Sequence, residues 1–334
     1  MFAIGTRIGD YEILGLLQSS RKESAFRVRN VVADRIEVLK LLPDHLQRDQ
    51  QARERFYREI KLHARLAHPN LVTFYHASEI QGITFMTTEY LEGVTTLAQQ
   101  LARGAMPLRK AIDLMSQVLA GLAQAHRQNL IHREVTPENI LILPDGQAKL
   151  GGFGLVKQQG DVSLTAVGTT LGCVDYMAPE QIKGAAELDG RTDIYAAGCV
   201  LYEMLIGRKP FESKSQFEVM ACHVQRDAVN LHTMNASIPR AVGNVVARAM
   251  AKNPSERYAN AETFAAALHD ASLQRNPAYA PSRRVEPEPL SPAPPPIRVV
   301  APPAAASADP GWRLHVLAAG LILTIVVLLA LVLQ

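Results

Sequence analysis

The sequence is poor in the residues that build several familiar kinds of site. Of 334 residues only three are cysteines, none in a CxxC pair, which favours neither a zinc knuckle nor a disulfide framework. So few cysteines fit a reducing, cytosolic compartment. The net charge is only +3, and no basic run marks a nucleic-acid-binding face. The N-terminal stretch MFAIGTRIGDYEIL lacks a basic region followed by a long apolar run, so we expect no cleaved secretory signal.

What the chain does contain is enough apolar sequence for a large core, at 48% hydrophobic residues. Short alternating apolar runs in residues 11–40 predict strands, a charged stretch at 49–66 predicts a helix, and LVTFYHA and ITFMTTEYL predict further strands. Helical patterns follow at 107–127, 192–206, 215–225, 238–251 and 260–272. This order predicts an α+β protein with two lobes, a small β-rich lobe at about 11–88 and a larger helical lobe at about 92–270.

The C-terminal end has a different composition. Residues 316–333 carry no charge and only Thr324 as a polar side chain, and as a helix they would span about 27 Å. We therefore expect a membrane anchor at 312–334, with Trp312 at the membrane interface. The upstream chain should lie on the cytoplasmic side, because Arg313 and, farther back, Arg283, Arg284 and Arg298 precede the apolar run. The alternative interpretation is a buried core helix.

A proline-rich stretch separates this segment from the rest. Residues 277–310 hold 11 of the chain's 20 prolines, mixed with alanine, serine and arginine. Such a composition cannot build a packed core, so we expect residues 271–311 to be an extended linker. A second interpretation is that PAPPP at 292–296 is a docking site for a proline-recognising domain.

Between residues 11 and 270 a series of short motifs follows a fixed order. The motifs are VLKLL with Lys40, YREIKL with Glu59, HPNLV at 68–72, TTEYLEG at 87–93, HRE at 132–134 with Asn139, GFG at 152–154, APE at 178–180, RTDIYAAG with Asp193 and NPSERY with Arg257. The series resembles a bacterial, membrane-anchored serine/threonine protein kinase of the eukaryotic-like, or Hanks, type. It covers nearly the whole of residues 11–270.

The resemblance implies a bilobal protein-kinase-like fold at 11–270 and a role for each matched residue. The implied cofactor-binding residues are Lys40, Glu59, Glu89, Leu91, Val38 and Ala25. Glu180 and Arg257 would form a structural salt bridge, and Asp193 would accept hydrogen bonds from the catalytic-loop backbone. In the activation segment, Thr169 and Thr170 are candidate phosphoacceptors, whose phosphates would pair with Arg133.

The sequence departs from the kinase pattern where phosphates and metal are handled. Three phosphate-loop glycines are replaced by Gln18, Ser20 and Glu23, and Val38 stands where the family commonly has alanine against the adenine. Gly152 takes the place of the metal-binding aspartate, which removes a ligand and leaves Asn139 as the remaining metal candidate.

The catalytic loop departs as well. Glu134 replaces the catalytic aspartate and Thr136 replaces the catalytic-loop lysine, while Cys173 stands where a threonine would join both. Because phosphoryl transfer depends on positioned charge, we expect little or no transfer, weakened ATP binding and no bound magnesium.

Two hypotheses follow. The first is a membrane-tethered serine/threonine pseudokinase that acts as a scaffold or regulator for a cytoplasmic protein, an active kinase or its substrate. The alternative is a weakly or unconventionally active ATP-dependent serine/threonine kinase, because Lys40 and Glu59 are retained and Glu134 is still an acid.

Overall fold

The computed structural model describes most of the chain as far as Leu273. The described residues are 2–19, 24–42, 50, 54, 57, 60, 61, 63–152 and 174–273. The chain divides into two compact units, residues 1–281 and 282–334, and every described residue belongs to the first. The predicted linker beyond Leu273 and the predicted anchor at 312–334 therefore lie outside the described residues. Within the described part, no helix has both the length and the apolar character needed to cross a membrane.

The N-terminal lobe is built on a six-stranded antiparallel sheet with strand order β1-β2-β3-β4-β6-β5. The strands are β1 Arg7–Ile8, β2 Tyr11–Ser19, β3 Ser24–Asn30, β4 Arg35–Leu41, β5 Phe74–Ile80 and β6 Ile83–Glu89. The strands predicted from alternating apolar runs are thus confirmed, with β5 beginning three residues later than predicted. Strand β1 extends the sheet to a point before the predicted start of the lobe at Tyr11.

The two faces of this sheet have different environments because strand side chains alternate. Leu39 and Phe85 are fully buried on one face, in a cluster with Ile13, Phe26 and Val28. Val38 and Lys40 point to the opposite face of β4 and are half-buried. The apolar alternation in the sequence therefore places Lys40 away from the lobe's own core.

The C-terminal lobe is mainly helical, as predicted. Its helices are α1 Leu97–Leu101, α2 Leu108–Arg127, α3 Pro179–Ile182, α4 Arg191–Ile206, α5 Gln216–Gln225, α6 Leu231–Met234, α7 Arg240–Ala249 and α8 Ala261–Leu273. Helix α4 lies at the centre, with 13 of its 16 residues buried. A helix that is apolar on every face is suited to such a position. The buried clusters of α2, α4, α7 and α8 join in one core.

A second, three-stranded sheet lies in this lobe and was not predicted. It consists of β7 Thr95–Thr96, β8 Ile140–Ile142 and β9 Ala148–Leu150, in that order and antiparallel. Ile140 pairs with Leu150, so Asn139 and Gly151 continue the hairpin, and the Gly151 N–H donates to the Asn139 carbonyl at 2.9 Å. This register brings the two motifs that carry the unusual residues side by side.

Candidate functional site

The HRE loop is fixed to the central helix by one buried carboxylate. Asp193, in the first turn of α4, is fully buried. Its two oxygens accept hydrogen bonds from the backbone N–H groups of His132 and Arg133, each at 2.8 Å. The His126 ring lies 2.8 Å from the same carboxylate. These contacts hold the HRE loop in a fixed position relative to helix α4.

His132 connects this loop to the end of β9. Its Nδ1 accepts from the Glu134 backbone N–H at 3.2 Å, so the ring proton lies on Nε2, which donates to the Gly151 carbonyl at 2.9 Å. Burial lowers the pKa of His132, which favours this neutral ring. The HRE loop and the glycine motif are therefore held together by an uncharged group.

Gly152, in the place of the family's metal-binding aspartate, has a positive φ of +70° and lies against the Asn139 side chain. A Cβ at position 152 would lie 2.8 Å from Asn139 Nδ2 and closer still to Oδ1 and Cγ. Asn139 Nδ2 donates to the Glu134 carbonyl at 2.8 Å. The space beside Gly152 is thus filled by an amide that is already hydrogen-bonded.

Thr136 and Glu134 complete the catalytic-loop positions. Thr136 is buried at 4% exposure, and its carbonyl accepts from the Asn139 N–H at 3.1 Å. Glu134 is half-buried. A short buried hydroxyl therefore stands where the family carries a long cationic side chain, while an acid remains at the base position.

Three of the predicted cofactor-binding residues, Ala25, Val38 and Lys40, share one face of the N-terminal sheet. Lys40 on β4 lies between Ala25 on β3 and Met86 on β6, and Val38 lies between Arg27 and Thr88. Ala25 is buried at 5% exposure and Thr88 at 7%. The register thus brings Ala25, Val38 and Lys40 together on one face, and their role in nucleotide binding stays a prediction.

The segment that resembles the hinge contains an ion pair that the sequence did not predict. Glu89 Oε1 accepts from the Thr73 N–H at 2.7 Å and from Lys149 Nζ at 2.8 Å. The Glu89 and Lys149 side chains are only 15% and 13% exposed. Leu91, two residues on, is half-buried. The Glu89 side chain therefore joins the hinge to β9.

Glu180 and Arg257 form a two-pronged ion pair. Arg257 Nη1 and Nη2 donate to the two Glu180 oxygens at 2.7 and 2.8 Å, and the Arg257 side chain is fully buried. The same guanidinium donates to three backbone carbonyls, those of Ala251, Arg191 and Lys252. Its five hydrogen bonds tie the APE segment to the loop before α8.

A second buried polar cluster, also missed from the sequence, supports α4 and α5. The Tyr195 hydroxyl lies 2.9 Å from His223 Nδ1, and Lys252 Nζ donates to that hydroxyl at 3.4 Å. Lys252 Nζ also lies 4.7 Å from the centre of the Phe211 ring. Burial lowers the pKa of His223 to about 4. Tyr195 is 28 positions from His223 and 57 from Lys252 along the chain, so the sequence pattern does not predict these contacts.

Several predicted site residues lie outside the described residues. These are Glu59, Ser20, Glu23, Phe153, Gly154, Thr169, Thr170 and Cys173. Gln18 is at the end of β2, and its side chain is likewise outside the description. The predicted Lys40–Glu59 pair, the phosphate loop and the phosphoacceptors therefore stay predictions.

Comparison with known proteins identifies the family. A family model described as the protein kinase domain matches residues 21–269. The chain belongs to the protein kinase family. The matched range includes residues of both lobes and the motifs from Lys40 to Arg257.

The relatives of this kinase are bacterial and longer. It is 33% identical over 269 residues to the serine/threonine-protein kinase PrkC of Bacillus subtilis, covering 80% of this chain and 41% of PrkC. It is 34% identical over 267 residues to PknE of Mycobacterium bovis, covering 80% of this chain and 47% of PknE. It is 34% identical over 258 residues to PknL of Mycobacterium tuberculosis, covering 77% of this chain and 64% of PknL. The chain thus spans about 40 to 64% of the length of these relatives.

Solved structures agree on the fold. The kinase domain of Mycobacterium tuberculosis PknI superimposes with a TM-score of 0.66 at 23% identity, covering 81% of this chain and 99% of that domain. At this identity the likeness concerns architecture alone. The bilobal kinase fold predicted from the sequence is confirmed.

Proposed function

We propose that this Hanks-type kinase is a membrane-tethered serine/threonine pseudokinase that acts through its binding surfaces, with little or no phosphoryl transfer. One observation carries the proposal. Gly152 stands where the family has a metal-binding acid, and the adjoining space holds the Asn139 amide, bonded to the Glu134 carbonyl. Phosphoryl transfer in kinases depends on charge neutralisation by metal ions held by an aspartate and an asparagine.

The side chains at this position do not fit magnesium. Magnesium prefers carboxylate oxygens in a near-octahedral arrangement. Glycine offers no side-chain ligand, and Asn139 supplies one neutral amide oxygen, a weaker ligand for magnesium than a carboxylate. ATP binding without the metal would depend on Lys40 and on the apolar wall formed by Ala25 and Val38.

The catalytic loop supports the same proposal. Glu134 reaches one methylene farther than the family's aspartate, and a misplacement of about 1 Å can cost roughly 100-fold in rate. Thr136 is buried and uncharged, so it cannot steady a transferring phosphate as a lysine would. Both changes weaken transfer independently of the metal position.

The scaffold of the larger lobe, by contrast, keeps the polar contacts of Glu180, Asp193 and Arg257. The Glu180–Arg257 pair and the Asp193 bonds hold the APE segment and the HRE loop in place. A kinase surface that stays ordered without efficient chemistry suits recognition of another protein. We propose a cytoplasmic partner, an active kinase or its substrate, and no nucleic acid.

Tethering and phosphorylation belong to the same proposal. The apolar run at 316–333 would anchor the chain in the cell membrane, with the proline-rich linker leading from the kinase domain on the cytoplasmic side. Thr169 and Thr170 would be targets of a partner kinase, and Arg133 would pair with the added phosphate.

The alternative, a weakly active kinase, is favoured by two residues. Lys40 is placed on the cleft face of β4, and Glu134 remains an acid in the catalytic loop. A direct assay separates the two functions.

The full-length protein in detergent is incubated with radiolabelled ATP and either magnesium or manganese, beside a Lys40→Met variant and a generic protein substrate. We expect the natural protein and Lys40→Met to give the same background of label, while an active relative such as PrkC labels the substrate. Label transfer that Lys40→Met abolishes would overturn the pseudokinase proposal in favour of the weak kinase.

A further inference from the structure

We propose that Asn139 closes the metal position itself, and that the glycine at position 152 is required by this closure. The inference deepens the proposed loss of magnesium binding and rests on it. It differs from a simple missing ligand, since it predicts that returning an acid to position 152 does not restore the site.

The first step is the confinement of the Asn139 backbone. Its N–H donates to the Thr136 carbonyl at 3.1 Å, and its own carbonyl accepts from the Gly151 N–H at 2.9 Å. These bonds fix Asn139 on both sides, so its Cβ cannot move away from Gly152 without breaking the start of the β8–β9 hairpin. Relief of any crowding must come from rotation of the side chain.

The second step is the cost of that rotation. The Asn139 amide nitrogen donates to the Glu134 carbonyl at 2.8 Å, which links the hairpin to the HRE loop. A Cβ at position 152 would come within 2.8 Å of this nitrogen and nearer to the rest of the amide, a separation that real Cβ atoms do not adopt. Any side chain at 152 therefore displaces the amide and breaks this link.

The third step is the backbone of Gly152 itself. Its φ of +70° lies in the left-handed region, which is unfavourable for residues other than glycine. The conformation and the crowding thus both select glycine. Some left-handed glycines among the described residues, Gly82 for example, have nothing within 4 Å of an added Cβ and provide a control.

The test is a double-mutant cycle on the thermal midpoint of the full-length protein, with Gly152→Ala, Asn139→Ala and the double variant. Gly82→Ala is the matched control, because Gly82 in the β5–β6 turn has φ +76° and nothing within 4 Å of an added Cβ. We expect Gly82→Ala to lower the midpoint by about 2 to 6 °C. Gly152→Ala should lower it by at least twice as much.

The decisive comparison is between Gly152→Ala in the natural protein and Gly152→Ala in the Asn139→Ala variant, which lacks the amide. In the Asn139→Ala background, Gly152→Ala should cost no more than Gly82→Ala does, because only the left-handed backbone remains unfavourable. Equal losses from Gly152→Ala in both backgrounds would show that the amide does not close the position and would overturn the inference.

A metal-binding readout provides a second test, and its double variant is expected to fold because the Asn139 amide is absent. Gly152→Asp and Gly152→Asp/Asn139→Ala are titrated with manganese in the presence of ATP, and the thermal midpoint is followed. We expect a manganese-dependent rise of several degrees only in the double variant. A full rise in Gly152→Asp alone contradicts the inference. The pseudokinase proposal is judged separately, by label transfer in the natural protein.

Discussion

At the scale of single residues, the chain shows how a buried charge becomes part of a stable lobe. Arg257 has no exposed side-chain surface, yet its guanidinium makes five hydrogen bonds and lies 4.8 Å from the centre of the Tyr195 ring. Burying a charge is costly unless it is paired and hydrogen-bonded. The contribution of Glu180 to stability should therefore be measured by removing it, which leaves the buried Arg257 charge without its carboxylate.

Glu180→Ala is expected to lower the free energy of unfolding by about 3 to 5 kcal/mol, because Arg257 would keep its charge in a buried site without its carboxylate. The measurement is equilibrium unfolding in urea. Glu262→Ala serves as the control, since Glu262 pairs with Arg127 at the surface, with both side chains about half exposed. That variant should lose at most about 1 kcal/mol. Similar losses for the two variants would contradict the assignment of Glu180 as the partner of a buried charge.

Two other contacts between residues arise from the tertiary structure and could not be predicted from the sequence. The Glu89–Lys149 pair joins residues 60 positions apart, and the crowding of Gly152 by Asn139 arises from the β8–β9 register. The Glu180–Arg257 pair was expected from the family motif, whereas no motif distinguishes Lys149 from a solvated lysine. Residue identity alone could show that a ligand was missing at 152, but not that another side chain filled its place.

At the scale of elements, long periodic segments were predictable and short ones were not. Helices α2, α4, α5 and α8 begin and end within one residue of the predicted limits and α7 within two, because each spans ten or more residues. Strands β1 and β7 are two residues long and β8 and β9 three, too short to show alternation. The part of the site built on β8 and β9 was for this reason the least predictable.

Helix α2 packs closely against the HPNLV segment, and a glycine in the helix makes this close packing possible. Gly121 in α2 faces Leu71 and the Asn70 carbonyl, and a Cβ there would lie 2.8 Å from Leu71 Cδ2 and 2.9 Å from that carbonyl oxygen. Asn70 Nδ2 in turn donates to the Ala148 carbonyl at 2.8 Å. The helix, the HPNLV segment and β9 are thus packed as one unit.

Gly121→Ala tests this packing. Alanine is favoured over glycine within a helix by about 1 kcal/mol, so without crowding the change would stabilise the protein. We expect the opposite, a net loss of about 1 to 3 kcal/mol, because the new methyl group would overlap backbone atoms that cannot turn away. Urea unfolding provides the measurement. A gain in stability would show that α2 does not approach the HPNLV segment this closely.

At the scale of the whole molecule, buried histidines give the folded state a dependence on pH. Burial lowers the pKa of His63 to about 3 and that of His223 to about 4, and also lowers the pKa of His132. In the unfolded chain these rings take up protons near pH 6.5. The contribution of His63 and His223 to stability is therefore complete above pH 6.5 and is lost as the pH falls toward 3 to 4, and that of His132 is likewise lost as the pH falls. Glu203, whose pKa burial raises, acts in the opposite direction.

The contribution of His63 to the pH dependence of stability can be isolated with His63→Leu. This change removes the titrating ring from a position that is only 8% exposed. Between pH 6 and pH 4.5 the natural protein should lose stability more steeply than the variant, by up to about 1.4 kcal/mol per pH unit. The difference has this sign because the unfolded natural chain binds one more proton than the folded one over that range. Urea unfolding across the range measures both slopes, with the exposed His269 replaced by leucine as a matched surface control. Parallel slopes for the natural protein and His63→Leu would mean that His63 is protonated as readily in the folded state as in the unfolded chain.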